Sequence, residues 1–463
     1  MRVKTSIFTR LTALAALLLI LVVASVVSAQ RSDLVERLER AASLIGERRV
    51  AEAEREIAAV LKASPDEAGA LSLLGTIRAQ QGKLDEAEAL FLRAVRSDAR
   101  FVAPHMNLAY LYTLKGAPEK TAAELKEVLR LDPDNADAAQ KLARLLLTEN
   151  RFDDCVRLVE DWKSRRAATP AMLVTLGDAY ARKGDAGRAE ESYLLALGAQ
   201  AENPEAHLGL AQLSLAKGDA GQTAFHLSLA RSSSSNSPEL LYGVALLALR
   251  ANLDEDARAM LAEALRLKPD DPRTLFLAGV AWLRKPDLFE AEKVFRRLLQ
   301  LQPDNRQAQL HLGYVLLKQK NHPEARALLE PIVKDEAHAP AEAFYYLGVI
   351  AQELNEDERA VELLEKAVRL LPSYPHAHVA LGASYRKLKN YARAEQELEL
   401  ALKLNPDDAK AHYNLALLYA RLKNPQRAQE EMRIVEELKK KGGAAQEADG
   451  DTVVIIPAPR PPS

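Results

Sequence analysis

Residues 375–408, PHAHVALGASYRKLKNYARAEQELELALKLNPDD, decide the reading of the chain. Numbered 1 to 34, this stretch puts Leu381 and Gly382 at positions 7 and 8, Tyr385 at 11, Ala394 at 20, Leu398 at 24, Ala401 at 27 and Pro406 at 32. Gly382 and Ala394 are small where two antiparallel helices must approach closely, and Leu381, Tyr385 and Leu398 are large enough to pack around that approach. Pro406 ends the second helix, because proline has no N–H and clashes inside a helix.

The register extends outward in both directions. Starts fall at Leu34, Ala68, Val102, Ala136, Pro170, Pro204, Pro238, Pro272, Arg306, Ala341, Pro375 and Ala409, with one extra residue in the ninth unit. Position 8 is then glycine or alanine in all twelve units. Position 20 is alanine except for Thr121, Cys155 and Thr223. This pattern resembles the tetratricopeptide repeat (TPR), a helix–turn–helix unit of 34 residues. The resemblance covers about 34–442 and implies an all-α fold, a right-handed α-solenoid of about twelve repeats. Such an array overrides the three or so globular domains that 463 residues would otherwise predict, because each unit buries its apolar face only against its neighbours.

Composition agrees with a helical reading. Aromatic residues make up 5% and charged residues 28% of the chain, and the net charge of −2 gives no basic excess for a nucleic-acid partner. The single cysteine, Cys155, excludes an internal disulfide and falls at position 20, which predicts a packed side chain and not a reactive thiol.

The two ends read differently. Arg2, Lys4 and Arg10 precede an apolar run from Leu11 to Val27, which leads into Ser28, Ala29 and Gln30. This is the layout of a secretory signal peptide over 1–29, cut after Ala29; an uncleaved inner-membrane anchor is the alternative. Either way the repeats are expected outside the cytoplasm, periplasmic or secreted. Residues 443–463 leave the repeat pattern for a flexible, proline-rich tail with a short apolar run, Val453 to Ile456.

Three irregularities stand out inside the array. Trp162 occupies position 27 of the fourth unit, where a large indole is expected to widen the packing. The stretch 231–238, RSSSSNSP, reads as a solvated turn or a hinge. The inserted residue of the ninth unit lies between Ile332 and Phe344, in a turn that tolerates it.

The family resemblance implies that the first helix of each unit lines a concave face, with positions 2, 5, 9, 12 and 13 touching ligands. Here those positions supply Tyr242, Phe276, Tyr345 and Tyr413 at 5, and Tyr110 and Tyr314 at 9. Position 13 supplies Arg250, Arg284, Lys318, Lys387 and Arg421, with Arg386 beside Lys387. Aromatic anchors beside a basic row suit other proteins, bound as extended or acidic segments; the same residues would also arise as gap-filling rings and as cations at helix C-termini. The lysine and asparagine set of the chaperone-binding members is absent, and the asparagine ladder of the sugar-transferase members is reduced to Asn107 and Asn414.

Catalysis has no visible basis. His105, His207, His378 and His412 all stand at position 4, as packing substitutes for an aromatic ring, and neither HExxH, paired CxxC nor a phosphate-binding glycine loop occurs. The sequence therefore predicts a non-enzymatic interaction scaffold of the bacterial envelope with no cofactor and no metal. Exopolysaccharide export and type IV pilus assembly are settings the resemblance implies. A regulatory subunit of an envelope enzyme and a carbohydrate-binding module are the alternatives.

Overall fold

A computed structural model describes residues 33–442 except 235, 285 and 286. The expected signal peptide at 1–29 and the tail at 443–463 lie outside the described residues. Among the described residues, 24 helices follow one another in hairpins, with the odd-numbered helix first in each repeat. The chain divides into two compact units, Met1–Gly209 and Leu210–Ser463.

The first unit opens with α1 (33–46) and α2 (Val50–Ala63), followed by the hairpins α3 (Ala68–Gln80) with α4 (Leu84–Ser97), α5 (Val102–Leu114) with α6 (Pro118–Leu131), α7 (Ala136–Thr148) with α8 (Phe152–Arg165) and α9 (Pro170–Arg182) with α10 (Ala186–Ala199). Helix α11 (Pro204–Ala216) spans the division. The second unit continues through α12 (Ala220–Ser233), α13 (Pro238–Arg250), α14 (Asp254–Leu267), α15 (Pro272–Arg284), α16 (Leu288–Leu301), α17 (Arg306–Lys318), α18 (His322–Lys334), α19 (Ala341–Glu353), α20 (Asp357–Leu370), α21 (Pro375–Lys387), α22 (Tyr391–Leu404), α23 (Ala409–Arg421) and α24 (Pro425–Gly442).

Local chemistry sets the boundaries. Asn135, Thr169, Asp219, Asn305 and Asp408 each cap a helix by accepting a backbone N–H from its first turn. Second helices such as α4 and α20 carry carboxylates in their first turn and an arginine in their last, in accord with the helix dipole. Between the two helices of a repeat, position 15 adopts positive φ: Gly82, Gly116, Gly184 and Gly218, but also Asn150, Asn252, Asn355, Arg48, Lys320, Lys389 and Lys423. The left-handed residue lets the next amides return to the last carbonyls of the first helix, as Lys83 N does to Arg78 O at 2.9 Å.

The core repeats with the register. Second helices bury little beyond positions 20, 24 and 27, as in Ala394, Leu398 and Ala401, whereas first helices are covered on two sides and bury far more. Position 8 is where the hairpin closes. A Cβ added at Gly75, Gly177 or Gly279 would lie 2.6, 2.5 or 2.4 Å from the ring of Phe91, Tyr193 or Phe295, the residue at position 24 of the same repeat. All three aromatic residues at position 24 face glycine, while alanine at position 8 goes with aliphatic partners such as Leu125 and Leu227. Cys155 is fully buried, and burial pushes its thiol up to about 12, so it stays protonated.

The irregularities are absorbed locally. The Trp162 indole is buried, donates from Nε1 to Ala167 O at 3.2 Å and lies under the Arg166 guanidinium at 4.4 Å, so it closes the turn that lacks a proline. Ser232, Ser233 and Ser234 donate to carbonyls of α12, and Ser237 caps α13, so the serine-rich turn supplies the hydrogen bonds that two helix ends need. The extra residue of the ninth repeat lies in the 335–340 turn, as its spacing implies.

Candidate functional site

In the second unit, the first helices of the last four repeats, α17, α19, α21 and α23, form the walls of a groove of about 400 Å³. Tyr314 and Lys318 come from α17, Tyr345, Tyr346 and Gln352 from α19, His376, Val379 and Ala383 from α21, and Lys410, Tyr413 and Asn414 from α23. In repeat terms these are positions 2, 5, 6, 9, 12 and 13. A helix turn of 3.6 residues brings them onto one face.

Tyrosines form the floor. Tyr314 and Tyr346 rings lie 5.3 Å apart, Tyr346 and Tyr345 5.6 Å, and Tyr345 and Tyr374 5.0 Å, all tilted. Tyr346 is 3% exposed, and burial drives its phenol well above the usual range, so it remains a hydrogen-bond donor. Tyr413 differs in being 46% exposed at the end of the row. Glu353 and Asp408, the carboxylates of the wall, are engaged by the fold: Glu353 with Lys320 at 2.5 Å and His322 at 2.6 Å, Asp408 by capping α23. Burial raises the Glu353 carboxyl, but the hydrogen bonds from Lys320 and His322 outweigh it and hold the group below the ordinary carboxylate range.

The residues expected at a site are distributed as follows. Tyr314, Lys318, Tyr345 and Tyr413 meet in this groove. Arg386 lies at its α21 edge, with Nη2 donating to Asn414 Oδ1 at 3.4 Å, and Arg421 is exposed at the end of α23. Lys387 reaches Asp357 at 3.2 Å and the Gln352 carbonyl at 3.3 Å. Arg284 likewise binds Asp254 at 2.8 Å and the Leu249 carbonyl at 2.8 Å, so both cations strut one repeat against the preceding one. Phe276 packs edge-on to Phe295 and His311, the half-buried Tyr242 lies under Arg273, and Arg250 is exposed on α13. Tyr110 is 62% exposed on α5, in the first unit.

Sequence reasoning did not place Tyr346, His376, Val379, Ala383 or Lys410 in a groove, and it read Asn414 only as a remnant of an asparagine ladder. Reading positions 2, 5 and 9 in every repeat, without regard to residue type, finds His376, Val379, Ala383 and Lys410; Tyr346 and Asn414 stand at position 6. The histidines at position 4 also do more than fill space. Nδ1 of His105, His378 and His412 meets Glu124, Glu397 and Glu431 at 2.7, 2.6 and 2.6 Å, and Nε2 of the last two meets the Pro372 and Pro406 carbonyls at 3.0 Å. They tie the two helices of a repeat to each other and, in the last two cases, to the preceding turn.

Among the described residues, His, Cys, Asp and Glu side chains do not gather in threes as a metal site would require, and no helix is long and apolar enough to cross a membrane.

The sequence matches the tetratricopeptide repeat over 38–100, 174–224, 242–306 and 379–439, over 112–173 and 287–347, and over 342–373. No curated protein sequence matches it. Solved structures similar to it include the anaphase-promoting-complex hetero-tetramer Cut9–Hcn1 (15% identity, 81% of this chain and 94% of that one, TM-score 0.41). PilF of Pseudomonas aeruginosa is 20% identical over 47% of this chain and 96% of its own, with TM-score 0.39. Yeast Tom70 is 14% identical over 81% and 96%, with TM-score 0.35.

Proposed function

Because the chain belongs to the tetratricopeptide repeat family, whose folds bind other proteins or peptide segments, we propose that it is a non-catalytic scaffold of the bacterial cell envelope that holds an extended segment of a partner protein in the groove over α17, α19, α21 and α23. The observation that carries this reading is the tyrosine floor. Four first helices in succession contribute to one cavity, whose length along the repeats suits an extended chain. Its rings supply rigid contact area at low entropic cost, while the polar rim of Lys318, Gln352, Lys410 and Asn414 sets register. The floor rings tilt against one another and Tyr345 and Tyr346 are buried, an arrangement that favours peptide side chains entering between them over a sugar stacking on an open ring.

The envelope setting rests on the sequence: the basic flank at Arg2, Lys4 and Arg10, the apolar run and the small residues before Gln30. Such a scaffold suits an assembly machine that moves polymer or pilin across the envelope.

The test is site-specific photocrosslinking of the full chain in cells. A benzophenone amino acid at Val379 or Tyr413 is expected to capture one discrete protein. At Phe225, exposed on α12 outside the groove, it is expected to capture none of it. Groove positions that capture nothing, or the same products from Phe225, would overturn the binding site, and recovery of the chain in the cytoplasmic fraction would overturn the envelope assignment. A captured hydrolase or transferase would recast the chain as that enzyme's regulatory subunit.

A further inference from the structure

The twelfth repeat differs from the others at one face. In the first eleven repeats the residue at position 24, Ile57 through Leu398, is at most 2% exposed. The first helix of the next repeat covers it, as Leu108 and Leu111 of α5 cover Phe91 and His311 of α17 covers Phe295. At the same position of the twelfth repeat Met432 is 38% exposed, and Ala428 at position 20 is part-exposed where Ala394 is fully buried. Among the described residues no helix follows α24, and a groove of about 420 Å³ lies between α23 and α24. Leu417, Ala420, Ala428 and Met432 give it an apolar floor, and Gln429 and Glu436 stand along its α24 rim.

The chain itself supplies a segment of matching size and charge. Beyond Gly442, outside the described residues, a spacer carrying Glu447, Asp449 and Asp451 leads to Val453, Val454, Ile455 and Ile456, with Pro457 after them. Four β-branched residues favour extended backbone and cover roughly 13 Å. Along α24, Ala428 to Glu436 covers about 12 Å. Reach is sufficient as well. Met432 lies about 15 Å back along the helix from Gly442, and residues 443–452 extend to about 33 Å. Lys439 and Lys440, both exposed, stand about one turn beyond Glu436 on the groove side of α24, where the three carboxylates must pass. A tether this short holds the segment at about millimolar effective concentration, which favours it over a second copy.

We propose that residues 453–456 dock as an extended segment across the α23–α24 groove, with alternate side chains over Met432 and the alanines and the acidic spacer beside Lys439 and Lys440. The last described repeat is then covered by the chain's own tail, where the others are covered by a helix, and its apolar face is closed to other chains. The inference is independent of the partner groove over α17, α19, α21 and α23, and neither reading needs the other.

Disulfide trapping in the full chain decides the matter. Gln429→Cys places a thiol on the groove rim and Thr452→Cys places one beside the apolar run, while Cys155 is buried and takes no part. Under mild oxidation Q429C/T452C is expected to form an internal disulfide about tenfold or more faster than F289C/T452C, whose first thiol is exposed on α16. Gel mobility and peptide mass spectrometry read the product. V454D/I455D leaves the repeats untouched and should remove the advantage, because aspartate resists burial on an apolar floor. The same change should speed amide exchange in α24 by about tenfold. An internal disulfide that forms as fast with V454D/I455D, a rate no greater than that of F289C/T452C, or α24 exchange indifferent to V454D/I455D overturns the docking. Disulfides found only between two chains assign the groove to a second copy and overturn it equally.

Discussion

Gly75→Ala gives the sharpest test of how each hairpin closes. The added Cβ would stand 2.6 Å from Phe91 Cε1 and 2.7 Å from Cδ1, whereas carbon atoms pack at about 3.5–4.0 Å. The ring must therefore retreat by roughly 1 Å. It is 1% exposed and surrounded by Ala87, Leu108, Leu111 and Tyr112, so no void receives it. Overpacking of this kind costs about 1–3 kcal/mol, and the better helix propensity of alanine returns up to about 1 kcal/mol, leaving a net loss of about 1–2 kcal/mol. Phe91→Leu alone loses packing worth about 1 kcal/mol. Combined, the two changes recreate the alanine–leucine pair of Ala109 with Leu125, and the double variant should be more stable than the sum of the single losses by about 1–2 kcal/mol. Hydrogen exchange of α3 and α4 amides in the full chain reads the local opening free energy. Strict additivity of the two losses would refute steric closure at position 8 as the reason for glycine there.

Other expectations follow from the same structure. At the inter-helix turn, Gly184→Ala should lower local stability by about 1–2 kcal/mol because φ is positive, while Lys389→Gly should be neutral or stabilising by up to about 1 kcal/mol; both are read by exchange of the flanking helices. Burial opposes the charged form of His378 most strongly, yet the Glu397 and Pro372 hydrogen bonds prevail and hold its imidazole above the ordinary 6.5. The sign is that of a raised pKa: its stabilisation is complete below pH 6.5 and is lost as pH rises through the folded value. The stability advantage over Glu397→Gln should therefore shrink above that pH, and NMR titration of His378 should show its midpoint falling in the variant. The Cys155 thiol, buried and pushed up to about 12, should resist an aromatic disulfide reagent at pH 8 in the folded chain and react at once in urea; reaction at equal rates in both would contradict its packing.

How far the sequence could be read depends on which residues repeat. Gly382 with Leu398 and Ala394 recur every 34 positions because each hairpin faces the same steric problem, so fold and register were legible from one unit. The site was legible only where residue type and repeat position agreed, as at Tyr314, Lys318, Tyr345 and Tyr413. Cations that look alike along the chain separate once their surroundings are known. Lys387 finds Asp357, and Arg284 finds Asp254, in the preceding repeat, whereas Arg250 and Arg421 stay exposed at the ends of α13 and α23. Position 4 misled in the other direction: a histidine in an aromatic slot reads as filler, and its bond to a glutamate 19 residues on appears only when the two helices are side by side.

By itself, then, the sequence determined what short-range periodicity can carry: helix, turn, twelvefold register, and which positions are small because backbones meet there. Only the tertiary structure decided which charges are satisfied. A salt bridge depends on distances of a few ångströms between residues about 30 apart in sequence, and those distances arise from stacking one repeat on the next. The tyrosine floor of the groove belongs to that second class.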